Sequence, residues 1–346
     1  MCTNVCRKDI ISNESFSPKV YAFINMDGHM RRRSSSGGVF VLLAEAVLHR
    51  GGVVCGAIIE PETLTVRHIV SNRRADIVKM MGSKYVQSDM GDCFAEIEEY
   101  LRQGKQVLFT GTPCQTAGCY RAVGRHDNLI TCDVLCHGTP SPMIWKDYAS
   151  DLEAEYGEKI KAVSFRSKRQ GWHGFGMEIS FRNGRRYFKP LDQDAFLCGF
   201  LRDLYLRPAC YTCEYSMKKR ISDITVGDFW GYNNCATEIK DDDRGLSAII
   251  VSTEIGMAMV DSITPYAQLQ KVNIDSLIPG NGPLRGPVVC PPTRAAFWKD
   301  YKVNGYTYVK LKYMMGAEYK GLDKFKHSTL GRMLIKARRL IKEAIS

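Results

Sequence analysis

The chain has 346 residues, 45% of them hydrophobic and 25% charged, with a net charge of +11 from 48 basic and 37 acidic side chains. That balance excludes a disordered or fibrous chain and leaves room for two modest domains or one large one. No run approaches the roughly 18 apolar residues of a membrane span, and MCTNVCRKDIISNES lacks the apolar core of an export signal, so a cytoplasmic protein is expected. The basic excess suits phosphate-bearing cofactors or an acidic partner protein.

In chain order, VYAFINMD (20–27) reads as a strand and MRRRSSSGG as a loop. VFVLLAEAVLHR (39–50) is a helix with apolar residues at helical spacing, ended by Gly51 and Gly52. VVCGAII and TVRHIV read as strands, and DCFAEIEEYLRQGK (92–105) as an amphipathic helix closed at Gly104. QVLFTGTPC and NLITCDVLCHGTPSP are each an apolar strand running into a cysteine-bearing loop, and MIWKDYASDLEAEYG is the next helix. The alternation predicts an α/β (α+β) fold whose N-terminal part holds a mostly parallel sheet. From about residue 160 a more antiparallel region follows: AVSFRSK, FGMEISFRNGRRYFKPL with its Asn183-Gly184 hairpin signal, and SDITVGDFWG. LGRMLIKARRLIKEAI (330–345) is a basic amphipathic helix, suited to docking on the protein's own core or to peripheral contact with an anionic membrane.

The thirteen cysteines set the chemistry. In a long chain without an export signal, clustered cysteines point to metal ligands or redox centres before disulfides. Cys55 and Cys93 sit in apolar contexts that need only a small buried hydrophobe, and Cys119 and Cys132 are expected in the core. Cys114 and Cys136 each follow a predicted strand, where ligands collect in open α/β sheets. Cys210 and Cys213 form a C-x-x-C unit. Two plus two makes the four thiolates of a 4Fe-4S cluster or of a structural zinc. From spacing alone, the competing reading is that Cys114 and Cys136 are unrelated buried residues.

Other segments carry two readings each. SSSGG (34–38) before the helix suits an anionic phosphate, or merely caps the helix. GSKYVQS (82–88) offers Lys84 to a phosphate, or is a solvated loop. GDFWG (227–231) and Gly171-Trp172-His173-Gly174 are either aromatic platforms or core corners. No G-x-G-x-x-G fingerprint, Walker loop or H-E-x-x-H motif occurs, and no nucleic-acid partner is expected.

Taken together, SSSGGVF, GSKYVQSDMG, VLFTGTPCQTAG, DVLCHGTPSPMIW, the C-x-x-C at 210–213 and SDITVGDFWG resemble the coenzyme F420 hydrogenase/dehydrogenase beta-subunit family, from about residue 18 to 275. Its relatives include chlorophyll-modifying reductases and formate dehydrogenase beta chains. The resemblance implies an iron–sulfur flavoprotein oxidoreductase. Such a protein binds FAD and a 4Fe-4S cluster and passes electrons, supplied by ferredoxin or a partner subunit, to or from a two-electron small-molecule acceptor. Carried onto this chain, it makes Cys114, Cys136, Cys210 and Cys213 the cluster ligands. It makes Ser36, Gly37, Gly38, Lys84, Tyr85, Gln87, Ser88, Thr112 and Gln115 flavin contacts. It also divides the chain into a remnant of a ferredoxin-like leader (1–17, with only Cys2 and Cys6), a flavin-loop part (18–105), a cluster part (106–275) and a C-terminal extension (276–346). The alternative is a non-catalytic zinc-binding module or an accessory protein of polysaccharide biosynthesis.

Overall fold

The computed structural model describes residues 16–232, 235 and 238–315. Cys2, Cys6 and the basic segment 330–345 lie outside the described residues. β1 (Lys19–Asn25) leads through α1 (Gly28–Arg33) into α2 (Val39–His49), and β2 (Val53–Ile59) folds back on β3 (Val66–Ser71) as an antiparallel pair. Then come α3 (Arg74–Met80), α4 (Cys93–Arg102), β4 (Val107–Gly111), α5 (Pro113–Val123), β5 (Leu129–Val134) and α6 (Pro142–Tyr156). β6 (Ile160–Ser167), β7 (Gly176–Phe181) and β8 (Arg186–Pro190) form a separate antiparallel sheet. Its β7–β8 turn uses Gly184 at φ +86°, as the Asn-Gly signal predicts. The chain closes with α7 (Ala195–Leu201), β9 (Ile224–Asp228), β10 (Ser247–Val251), α8 (Glu254–Ile263), β11 (Ala267–Val272), α9 (Ile274–Leu277) and α10 (Arg294–Val309).

The main sheet has eight strands in the order β11-β1-β10-β9-β5-β4-β2-β3. Neighbours β2, β4, β5 and β9 are parallel; the outer strands are antiparallel. The expected mixed α/β architecture is therefore present, with one difference. SDITVGDFWG does not belong to the antiparallel region but returns to the main sheet as β9, between β5 and β10. Its reason is burial: Ile224 and Thr225 are fully enclosed, a site only a central strand supplies. The sheet also draws strands from both sides of residue 105, since β2 pairs with β4 and β1 with β10.

Strand alternation explains why helices cover both faces. Val54, Leu108, Ile130 and Ile249 pack on one face against Val39, Leu43 and Val47 of α2 and Met259, Val260 and Ile263 of α8. Val53, Cys55, Val107, Phe109 and Leu129 pack on the other, against Cys93, Ile97 and Leu101 of α4 and Cys119 and Tyr120 of α5. Each such aliphatic side chain contributes about 1.5–3 kcal/mol on burial. Cys55, Cys93, Cys119 and Cys132 are core residues, as read from their contexts. Among the described residues no helix is long and apolar enough to cross a membrane.

One consequence of the strand directions positions the site. The carboxyl ends of β4, β5 and β9 lie together because these strands are parallel. Ser247 at the start of β10 stands opposite Asp228, and Phe23 of β1 opposite Ser247. The carboxyl end of β1 therefore reaches the same rim.

Candidate functional site

The first cysteine is placed by a helix start. Thr112 N-caps α5 with Pro113 at its first position, and Gln115 completes a capping box by accepting from the Thr112 backbone N–H at 2.9 Å. Cys114 is thereby held in the first turn, open to solvent, with its Sγ 3.1 Å from the Thr112 hydroxyl. One strand over, Leu135 N–H donates to Val226 O at 2.8 Å and extends the β5–β9 pairing up to Cys136. The next loop is clipped to the C-x-x-C segment. Arg207 N–H donates to Thr139 O at 3.0 Å, Ser141 N–H to Tyr205 O at 3.0 Å, and Thr139 N–H to Cys210 Sγ at 3.4 Å. Cys210 lies in a 3-10 turn, Pro208–Thr212, and Cys213 follows it.

The four sulfurs are electrostatic neighbours. Burial pushes the Cys136 thiol up, and Cys114, Cys210 and Cys213 push it further. Although solvent reaches Cys114, the protein packed around it also raises its thiol, opposed by the Thr112 hydroxyl and reinforced by Cys213 and Cys210. Burial also raises Cys210; the Thr139 N–H counters it and Cys213 adds to it. A tetrahedral zinc holds its sulfurs about 3.8 Å apart, from Zn–S bonds of about 2.3 Å. Among the described residues no three His, Cys, Asp or Glu side chains are gathered to hold one metal ion in this way. A 4Fe-4S cluster takes four thiolates around a larger inorganic core. An all-thiol set of mutually interacting sulfurs, with hydrogen-bond donors at two of them, fits that demand.

The loops expected to contact a flavin are knitted together beside the same rim. Ser83 N–H donates to Ser35 Oγ at 2.7 Å, and the two hydroxyls stand 2.9 Å apart. Gln115 Nε2 donates to Ser88 Oγ at 2.7 Å, and Gln87 N–H to Pro140 O at 3.2 Å. Ser36 Oγ donates to Leu246 O at 2.9 Å and Gly37 N–H to Ser247 Oγ at 2.8 Å. Gly37 has no room for a side chain, since a Cβ there falls 2.4 Å from Phe23 O and 2.7 Å from Ser247 N. Gly38, at φ +89°, is the N-cap of α2, and no side chain caps that helix. The capping reading of SSSGG is realised in part: Gly38 takes the N-cap position of α2, and Ser34 closes α1, its Oγ donating to Met30 O at 2.9 Å.

Two expected contacts face elsewhere. Lys84 Nζ donates to Lys79 O, Met80 O and Met81 O at 2.7–2.9 Å and so closes the carboxyl end of α3. Burial lowers its pKa to about 7. The Tyr85 ring packs on Phe200, centroids 4.6 Å apart, with its hydroxyl near the Arg166 guanidinium.

Sequence reasoning missed Arg166 and Lys168, which lie in AVSFRSK without any motif. Lys168 Nζ donates to Arg31 O, Ser36 O and Arg244 O at 2.6–2.9 Å, tying the SSSGG loop to β10's approach. Burial, then the Arg31 and Arg166 charges, lower its pKa to about 7. Arg166 Nη1 pairs with Asp228 of GDFWG, and its guanidinium lies 4.2 Å over the Phe175 ring. Asp228 also accepts Trp172 Nε1 at 2.8 Å, and Trp172 stacks on Trp230 at 4.2 Å and 9°. The two aromatic-glycine motifs thus meet as one packed corner carrying a buried ion pair. Arg166 Nε and Nη2 are fully buried, and the Tyr85 hydroxyl stands beside the guanidinium.

A family model for the C terminus of the coenzyme F420 hydrogenase/dehydrogenase beta subunit matches residues 104–276, half of the chain and all four rim cysteines. Among solved structures, a chain of the xenon-derivatised F420-reducing NiFe hydrogenase complex from Methanosarcina barkeri shares the fold. It does so over 78% of this chain and 87% of its own, with a TM-score of 0.51 and 17% identity. No curated protein matches. The chain belongs to the coenzyme F420 hydrogenase/dehydrogenase beta-subunit family.

Proposed function

We propose that the protein is an iron–sulfur flavoprotein oxidoreductase. In this reading Cys114, Cys136, Cys210 and Cys213 hold a 4Fe-4S cluster, and the loops at 34–38, 82–90 and 111–115 hold FAD. The observation that supports it is that cysteines from three separate segments lie within electrostatic reach of one another, beside loops that are hydrogen-bonded to one another. A bound flavin supplies exchange between paired and single electrons, which a cluster alone cannot provide. Ferredoxin or a partner subunit supplies or takes the single electrons. The two-electron partner is a small redox metabolite, for which the deazaflavin coenzyme F420 is the family's namesake candidate.

The chain's own residues have definable tasks in that chemistry. The Thr112 hydroxyl and the Thr139 N–H stabilise negative charge on the Cys114 and Cys210 sulfurs, which favours the reduced state of a cluster bound there. Gly37 lets the loop backbone pass flush against β1 and β10, and the uncapped start of α2 leaves N–H groups for an anionic group of the cofactor.

Anaerobic purification tests the reading. The expected product is brown, absorbs broadly in the violet and releases flavin on heating. Cys213→Ser bleaches the cluster and Cys55→Ser does not. Colourless protein with stoichiometric zinc overturns the proposal in favour of a zinc module.

A further inference from the structure

Two backbone donors that reach the rim sulfurs come from one short loop, and a carboxylate outside the cysteine set pins that loop. Thr139 N–H donates to Cys210 Sγ at 3.4 Å, and Gly138 N–H faces the Cys136 sulfur. His137 stands between Cys136 and these two donors. Its Nε2 donates to Asp203 Oδ1 at 2.6 Å, and its ring stands edge-to-face with Phe200, centroids 5.2 Å apart at 84°. The imidazole is thus fastened to the end of α7, where Asp203 N–H donates to Phe200 O at 3.0 Å.

Asp203 reaches the other cysteine segment through its main chain. The hydroxyl of Tyr211, which lies between Cys210 and Cys213, donates to Asp203 O. Arg294, at the start of α10, steadies that contact by donating from Nε to the Tyr211 hydroxyl at 3.0 Å and from Nη2 to Leu206 O at 3.2 Å. Asp203 therefore grips both sides of the rim: its carboxylate holds the loop after Cys136, and its carbonyl holds the C-x-x-C turn. It does so at φ +59°, a left-handed conformation that residues with a side chain rarely adopt. Glycine would take that conformation without strain, so what aspartate adds at this position is its carboxylate.

We propose that Asp203, acting through His137, is a positioning residue that aims the Gly138 and Thr139 N–H groups at the cluster sulfurs and thereby raises the cluster's reduction potential. The proposal rests on the cluster reading above and deepens it. A reduced cluster carries one more negative charge than an oxidised one, so donors held against its sulfurs bind the reduced form more tightly. Hydrogen bonds weaken steeply as their angle closes, so releasing His137 lowers the potential while the four thiolates stay in place. The charge of Asp203 acting through space has the opposite sign, since a nearby carboxylate disfavours reduction.

The test uses the full chain, purified anaerobically, as wild type, Asp203→Gly, Asp203→Asn, His137→Phe and the double variant Asp203→Gly/His137→Phe. Glycine keeps the backbone and the carbonyl that holds Tyr211, phenylalanine keeps the ring packed on Phe200, and asparagine keeps an acceptor for Nε2. Iron and sulfide are counted, and the one-electron midpoint potential is measured by dye-equilibrated titration. Asp203→Gly and His137→Phe are each expected to keep their iron and to lose about tenfold in the preference for the reduced cluster, equal to about 59 mV for a one-electron couple. The double variant shifts no further than either single one, because both remove the same contact. Asp203→Asn stays at or above the wild-type potential. An unshifted or raised potential in Asp203→Gly overturns the proposal, and so do shifts that add in the double variant. If Asp203→Gly loses its iron, His137→Phe decides by the same reading. Iron lost from both overturns the proposal, since the pair then merely keeps the ligands in place. Wild type without iron and sulfide overturns the cluster reading itself, a result distinct from all of these.

Discussion

Replacing Arg220 by methionine separates the cysteine rim from its anchor. Arg220 and Asp133 form a buried pair, N to O 3.1 Å, with side chains 2% and 0% exposed. The guanidinium also donates to Thr225 Oγ1 at 3.1 Å and to the Tyr215, Met217 and Val134 carbonyls at 2.9–3.4 Å. These bonds fasten the segment just after Cys213 to the end of β5 just before Cys136. Methionine fills similar volume but leaves Asp133 charged and buried, with Oδ1 already lacking a partner. Breaking such a pair from one side costs about 3–5 kcal/mol. Urea unfolding of the cofactor-free chain at pH 7 reads that loss as a lower midpoint at unchanged slope. The double variant Arg220→Met/Asp133→Leu removes the stranded charge and is expected to recover most of the loss. A cost under about 1 kcal/mol for the single variant, or a double variant no better than the single, refutes the reasoning.

Three further outcomes follow from the same geometry. Gly37→Ala forces a methyl to within 2.4 Å of Phe23 O, so it costs about 1–3 kcal/mol and weakens FAD binding at least tenfold, read by unfolding and by flavin fluorescence. Thr112→Val removes the α5 cap and the hydroxyl beside Cys114, costing about 1 kcal/mol and lowering the cluster potential, whereas Thr112→Ser restores both. His68 is held neutral by burial, which lowers its pKa from 6.5 to about 4 despite its contact with Thr110 O. The unfolded chain therefore binds the extra proton between those values, and stability falls as pH drops from 6.5 to 4, by about 3 kcal/mol at most. His68→Gln is expected to flatten that part of the pH–stability curve, and an equally steep curve contradicts the assignment.

The cysteine rim was legible because Cys114 and Cys136 each follow an apolar strand, and strands that are parallel neighbours must end on one edge. The C-x-x-C pair was legible by spacing. Arg166 was not, because its partner Asp228 is 62 residues away and meets it only once β9 is inserted beside β5. β9 itself was misplaced, since a short strand beside hairpin-like segments gives no local sign of the sheet it joins. Lys84 read as a phosphate contact from its polar, glycine-led loop. The chain's turn after Met81 instead brings its ammonium back over the carbonyls of α3. Local pattern therefore located the loops, while the direction of individual side chains depended on contacts distant in sequence.

The central claim is that four sulfurs share one inorganic centre, and iron and acid-labile sulfide per chain measure this directly. Anaerobically purified wild type is expected to hold about four of each. Separate serine substitutions at Cys114, Cys136, Cys210 and Cys213 should each abolish that content, while the same change at Cys119 or Cys132 preserves it. Full iron and sulfide retained by any two of the four rim variants contradicts the account.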